Sequence, residues 1–229
     1  MLKQKLIIVE FVGGRCGSSL VMGLLNRAGV NTGPNNLHIE PDIWNQGGYY
    51  ETLEVSNITS RDMVAITDPF TEIIDYNERK EFALSHKQKF VDMLKKTYKG
   101  NCAIAVKDNN GGILAMFDNE DPAFDVRIIF LDRNTEDQCK SIILLWNEGF
   151  GIEGHNRDKY FNWIEKEKKL VEEWIKTSKI PYIKLMFFKL LDDPIESTKK
   201  ICELVDIPML SENVIQSWIN QTFSRSRTR

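Results

Sequence analysis

Four short apolar runs, each tied to a stretch of helical periodicity, organise this chain. Leu6-Ile7-Ile8-Val9-Glu10-Phe11-Val12 is almost continuously apolar and reads as a strand near residues 5–12. Past it, Val21, Leu24, Leu25 and Ala28 fall at the i, i+3, i+4, i+7 spacing of one helix face. Further strand-like runs lie near 103–107, 126–131 and 181–185, and helical patterns near 18–29, 52–63, 79–98, 135–147, 158–177, 194–206 and 211–222. Strands separated by helices predict an α/β fold: a single-domain three-layer αβα sandwich around a mostly parallel sheet. The domain is expected to span 1–222, with 223–229 as a basic tail.

Local signals sharpen these elements. Asp193, Pro194 and Glu196 combine an N-cap, a proline at the first helical position and an acidic first turn, so a helix starts there. Thr135 and Gln138 have the spacing of a capping box. Cys139, Ile142, Ile143 and Trp146 then give that helix its apolar face. The stretch from Asn31 to Tyr50, rich in Asn, Gly and Pro, reads as a long surface loop, expected to be a lid. Glu165-Lys166-Glu167-Lys168-Lys169 reads as a solvated helix face opposite an apolar stripe of Tyr160, Ile164, Val171, Trp174 and Ile175.

Composition narrows the function classes. The 229 residues suffice for a full core, and shares of 42% hydrophobic and 28% charged residues are those of an ordinary globule. A net charge of −3 provides no global field for nucleic acid or an anionic membrane, so neither is expected as a partner. Met1-Leu2-Lys3-Gln4-Lys5 leads into a run of strand length, too short for export or spanning, and the expected location is the cytoplasm. Cys16, Cys102, Cys139 and Cys202 are scattered without a C-x-x-C pair, which argues against a disulfide framework or a zinc site.

The chemistry concentrates at two places. Gly13-Gly14-Arg15-Cys16-Gly17-Ser18-Ser19 links the first strand to the first helix. Glycines there let the backbone approach an anion, and the N–H groups and positive end of the helix attract its charge. Arg15 adds a cation, and Ser18 and Ser19 add hydroxyls. The loop lacks the G-x-x-x-x-G-K-[ST] pattern of triphosphate binding, because Ser18 follows Gly17 where a lysine belongs. The bland alternative is an ordinary glycine turn. A second element weighs against it: the strand Val126-Arg127-Ile128-Ile129-Phe130-Leu131 ends near Arg133, and Ser141 lies eight positions later inside the next helix. Ligands of open parallel sheets bind beyond the carboxyl ends of the strands, where both elements place their polar groups.

With these residues in view, the chain resembles the sulfotransferase family, relatives of P-loop proteins that use 3′-phosphoadenosine 5′-phosphosulfate. Arg15-Cys16-Gly17-Ser18-Ser19 is similar to the family's first turn, with Cys16 where serine is usual. Arg133 and Ser141 resemble the pair that grips the 3′-phosphate. Gly47-Gly48-Tyr49-Tyr50-Glu51 resembles a Gly-Tyr-x-Glu segment of bacterial members. Ala105-Val106-Lys107-Asp108 resembles their Lys-Asp-Pro-Arg, although Asn109-Asn110 replace Pro-Arg. Tyr182 to Leu185, with Asp193-Pro194, is similar to the late strand and helix start.

The resemblance implies a P-loop-like sulfotransferase fold and transfer of a sulfuryl group to a hydroxyl or amine on a small molecule or glycan. Gly13 to Ser19 would hold the 5′-phosphosulfate, Arg133 and Ser141 the 3′-phosphate, and the bisphosphate nucleotide would be released, without a metal. Arg15 is the candidate to stabilise the leaving phosphate, and Lys107 the one to orient the sulfonate. A general base is also required. Glu51 is the first candidate, Asp108 the second and His38 the third. His155 is expected to border the acceptor pocket, His86 to be exposed, and the Arg225-Ser226-Arg227-Thr228-Arg229 tail to fray or to reach the 3′-phosphate. A triphosphate-dependent kinase and a non-catalytic nucleotide-binding relative are the alternatives.

Overall fold

Strands β1 (Gln4–Phe11), β2 (Ile104–Asn109), β3 (Phe124–Asp132) and β4 (Tyr182–Met186) pair in parallel throughout, in the order β2-β1-β3-β4. The computed structural model describes residues 3–35, 38, 48–50, 55, 76–100, 103–117, 121–145, 147 and 156–223. Its helices are α1 (Ser18–Arg27), α2 (Tyr76–Thr97), α3 (Gly112–Met116), α4 (Thr135–Leu144), α5 (Arg157–Thr177), α6 (Phe187–Asp192), α7 (Pro194–Val205) and α8 (Glu212–Phe223).

The alternation of side chains along β1 builds the layers. Leu6 and Ile8 face a core shared with Phe90 and Leu94 of α2 and Val171 and Trp174 of α5. Ile7, Val9 and Phe11 face the opposite core, with Leu20 and Leu24 of α1, Val205 of α7 and Trp218 of α8. One sheet thus carries two hydrophobic cores, and the expected αβα sandwich is what forms. Contact on the second side is close at Gly23. A Cβ there would come within 2.1 Å of the Trp218 ring, whose N–H donates to the Leu20 carbonyl at 3.0 Å.

The helices α3 and α6 are absent from the sequence expectations. At five and six residues they are too short to display a helical period. The N-cap of α4 is also one residue earlier than expected. Asn134, not Thr135, caps the helix, accepting the Asp137 N–H at 3.1 Å. The expected helix near 52–63 is represented only by helical Val55; Glu51, Cys102, Trp146, His155 and residues 224–229 lie outside the described residues. No helix among the described residues is long and apolar enough to cross a membrane.

Charge burial departs from the expectation of a solvated α5 face. Glu167 is buried and receives Arg79 of α2 at 2.7 and 3.1 Å, and Lys168 is buried against Asp132 at 2.8 Å. The partners come from a distant helix and a strand end, so the local charge pattern could not reveal them. His86 is half-buried rather than exposed, stacked on Phe82 with centroids 4.3 Å apart.

Adjacent strands also bury two carboxyls side by side. Glu10 and Asp108 are in register and 0% exposed. Glu10 Oε1 accepts the Gly111 N–H at 3.0 Å, and Asp108 Oδ2 accepts the Leu114 N–H at 2.7 Å. Burial, then the charge and hydrogen bond of Asp108, push Glu10 well above the ordinary 4.5. Burial also raises Asp108, against the opposing hydrogen bond from Glu10 and those from the backbone. A carboxyl raised in the folded chain keeps a proton that the unfolded chain releases. Its stability is therefore full below the unfolded value and falls as pH rises toward the folded one. Glu10→Gln keeps the shape and removes one titration. It is expected to raise stability by about 1–2 kcal/mol at a pH near 8 and to change little near pH 4, read by urea unfolding at both. Destabilisation at the higher pH would contradict a Glu10 carboxyl held well above its ordinary value.

Candidate functional site

The order of the sheet determines where a ligand can sit. From β1 the chain passes to β2 on one side, whereas from β3 it passes to β4 on the other. The crevice between these diverging connections lies beyond the carboxyl ends of β1 and β3. The loop Val12–Gly17 leaves β1 there, and Arg133 leaves β3 beside it.

The backbone of the first loop is unusual. Gly13, Gly14 and Arg15 lie consecutively in the left-handed region, at φ 70°, 79° and 61°, and Gly17 follows at 88°. A side chain at Gly17 would also strike the Phe187 ring at 2.7 Å, so both conformation and space require glycine. Gly14 differs: nothing lies within 4 Å of where its Cβ would be. Gly17 is the N-cap of α1 and offers no side-chain cap, so the first turn presents N–H groups and the positive end of the dipole to the crevice.

Side chains from the rest of the sheet edge hold the loop. Asn109 and Asn110 Oδ1 accept the Gly13 N–H at 3.0 and 3.2 Å, and Tyr160 donates to the Gly13 carbonyl at 2.9 Å. Gln138 donates to the carbonyls of Val12 and Gly14 at 2.5 and 2.7 Å. The Asn109-Asn110 departure noted above is thus a support for the loop. Gln138 does not turn back on its own helix as a capping box would require; its carboxamide crosses to the loop instead.

The two sequence motifs meet. Arg15 Nε donates to Ser141 Oγ at 3.2 Å, and Arg133 Nη1 donates to the Arg15 carbonyl at 2.9 Å. Arg133 also lies over the Phe187 ring, 4.7 Å from its centroid. Desolvation by burial is the main influence lowering Arg133 from its ordinary value, and the Arg15 guanidinium adds to it. Both effects are ones that a bound anion would relieve. Behind it, Asp132 is held below the ordinary carboxylate range; burial alone would raise it, but Lys168 and Lys184, at 2.8 and 3.0 Å, prevail. Lys168 also reaches the Arg133 carbonyl and Thr135 Oγ1, fixing the start of α4.

Lys107 enters from β2, its ammonium 2.8 Å from Ser19 Oγ, and Ser19 in turn donates to the Tyr49 carbonyl at 3.4 Å. Ser18 is buried at the start of α1. Asp108, the next residue, points into the Glu10 pair and is 0% exposed. It stands at the C-terminal end of β2, as expected, but its buried side chain has no open side from which to take an acceptor's proton. His38 donates from Nε2 to the Thr32 carbonyl at 2.9 Å and packs against the Tyr50 ring, with centroids 5.5 Å apart. Glu51 follows Tyr50, the last described residue of that segment.

Cys16 is a packing residue. It is 0% exposed, its thiol contacts the Gly14 carbonyl at 3.2 Å, and burial pushes it up to about 12 against the pull of Lys168, Arg133 and Arg15. The folded protein is expected to leave Cys16 unmodified by iodoacetamide near neutral pH, and Cys16→Ser to leave nucleotide affinity nearly unchanged. Rapid alkylation, read by mass spectrometry, would show an exposed thiolate instead.

No family model matches the chain, and no curated protein does. Solved structures do. A sulfotransferase from Alicyclobacillus acidocaldarius superposes with TM-score 0.53 at 14% identity, over 98% of this chain and 92% of that one. Sulfotransferase STF9 from Mycobacterium avium gives 0.51 at 12%, over 98% and 68%. A sugar kinase from Janibacter sp. HTCC2649 gives 0.45 at 11%, over 89% and 95%, too low a score to bear on the fold. These overlays, with the parallel sheet and its loop-bearing edge, establish that the chain has the sulfotransferase fold.

Proposed function

We propose that the chain is a sulfotransferase that takes its sulfuryl group from 3′-phosphoadenosine 5′-phosphosulfate and passes it to a hydroxyl or amine. The observation that carries this reading is the direct meeting of Arg15 with Ser141 and Arg133 at one crevice. A nucleotide carrying phosphates at both ends of its ribose needs two anion grips side by side, and a triphosphate does not. The open space beside Gly14 and the N-terminus of α1 also fit an anion held close to backbone.

The donor, when bound, supplies the activated sulfuryl group. Gly13 to Ser19 hold its 5′ side, and Arg133 and Ser141 hold the 3′-phosphate. Arg15 then places positive charge where the leaving phosphate gains negative charge, which is the largest available source of acceleration in such in-line displacements. Lys107, fixed by Ser19, orients the transferring group from the β2 side. Glu51 is the proposed base on the strength of its position in the sequence.

The test is release of adenosine 3′,5′-bisphosphate from the donor across a panel of hydroxyl and amine acceptors. Acceptor-dependent release supports the enzyme, and Glu51→Ala should abolish most of it. Tight donor binding with no release for any acceptor would favour a non-catalytic relative; magnesium-dependent turnover of ATP would favour a kinase.

A further inference from the structure

We propose that Gln138 is a positioning residue that turns the backbone N–H groups of the first loop toward the bound anion. It thereby links the helix bearing Ser141 to the grip on the other end of the ligand. This deepens the donor site argued above and rests on that reading.

The geometry begins with peptide planes. In a trans peptide the carbonyl and the following N–H point in opposite directions, and no cis peptide is present among the described residues. The carbonyls of Gly13 and Gly14 are drawn to one side, by Tyr160 at 2.9 Å and Gln138 at 2.7 Å. The N–H groups of Gly14 and Arg15 must then face the other way. Gln138 is 0% exposed, and its second contact, to the Val12 carbonyl, fixes the carboxamide itself. It is rooted on α4 between Arg133 and Ser141, in a turn anchored by the Asn134 cap and by Lys168 on Thr135.

Gly14 and Arg15 both sit in the left-handed region. Glycine flips between peptide orientations with little steric penalty, so an external restraint decides which way the Gly14–Arg15 peptide faces. Without Gln138 the Gly14 carbonyl keeps only the weak contact of the Cys16 thiol at 3.2 Å and can swing toward the crevice, where it would repel an anion. The residue touches no part of the proposed ligand; it acts through the loop.

The experiment compares wild type with Gln138→Met, which keeps the length and loses the donor, and Gln138→Glu, which keeps the shape but is acceptor-only when ionised. Binding of 5′-AMP, 3′-AMP and the 3′,5′-bisphosphate is measured by calorimetry. Both variants should weaken 5′-AMP and the bisphosphate by about tenfold or more and leave 3′-AMP within about twofold. A merely structural role would move all three together, and equal losses, or none, overturn the proposal. Amide hydrogen exchange at Gly14 and Arg15 in the ligand-free protein gives a second reading, expected to change in both variants as these peptides reorient, whereas rates equal to wild type overturn the proposal. If Gln138→Met does not fold, Gln138→Glu is read in the same way. If wild type does not prefer the bisphosphate to 5′-AMP, the donor assignment falls, whereas the exchange result still decides the role of Gln138.

Discussion

Arg15→Ala is expected to slow sulfuryl transfer on the order of a hundredfold or more at saturating donor. The side chain belongs to the loop that leads into α1, and its Nε already meets Ser141 at 3.2 Å. Truncation should spare the fold, because the contact that secures the loop at this residue is made by its backbone carbonyl to Arg133. Alanine at the same positive φ bears the same backbone strain as arginine, so no conformational gain obscures the result. Arg15→Lys retains charge but loses the planar fork, and should recover part of the rate. Single-turnover measurements isolate the chemical step. A loss below about threefold would mean that another group faces the leaving phosphate.

The second large effect is on stability. Arg79 and Glu167 are 0% and 1% exposed and bound through both terminal guanidinium nitrogens, and Arg79 also donates to the Asn110 carbonyl at 3.3 Å. Arg79→Ala leaves Glu167 as a buried, unpartnered charge, and is expected to lower unfolding stability by about 3–5 kcal/mol. Replacing both residues, as Arg79→Met with Glu167→Leu, should restore most of the loss, because neither charge then requires compensation. Denaturant unfolding of the single and double variants measures the difference. A single variant within about 1 kcal/mol of wild type would show that water reaches the pair. Through Asn110, which holds the Gly13 N–H, the same ion pair also supports the anion loop.

Much of this architecture was legible along the chain. The apolar run of β1 and the period of α1 flank the Gly13–Ser19 turn, and the spacing from Arg133 to Ser141 spans the start of a helix. What could not be read were contacts between distant segments. Gln138 lies 124 positions from Gly14, and Tyr160 lies 147 from Gly13, so no local pattern links them. Asn109 and Asn110 read only as a departure from Pro-Arg, because their task, holding one N–H, leaves no signature in residue type. Lys168 and Glu167 looked solvated because charge alone suggests water, and only their partners Asp132 and Arg79 reverse that. Asp108 stood next to Lys107, yet the alternation of a strand sends neighbours to opposite faces, one to the crevice and one to the core.

Calorimetric titration of wild type and Arg133→Ala with adenosine 3′,5′-bisphosphate and with 5′-AMP, without magnesium, tests the paired-grip reading most directly. Wild type should bind the bisphosphate at least about tenfold more tightly than 5′-AMP, and Arg133→Ala should erase that preference while sparing 5′-AMP. Equal affinity for the two ligands in wild type, or an equal loss of both in the variant, would contradict it.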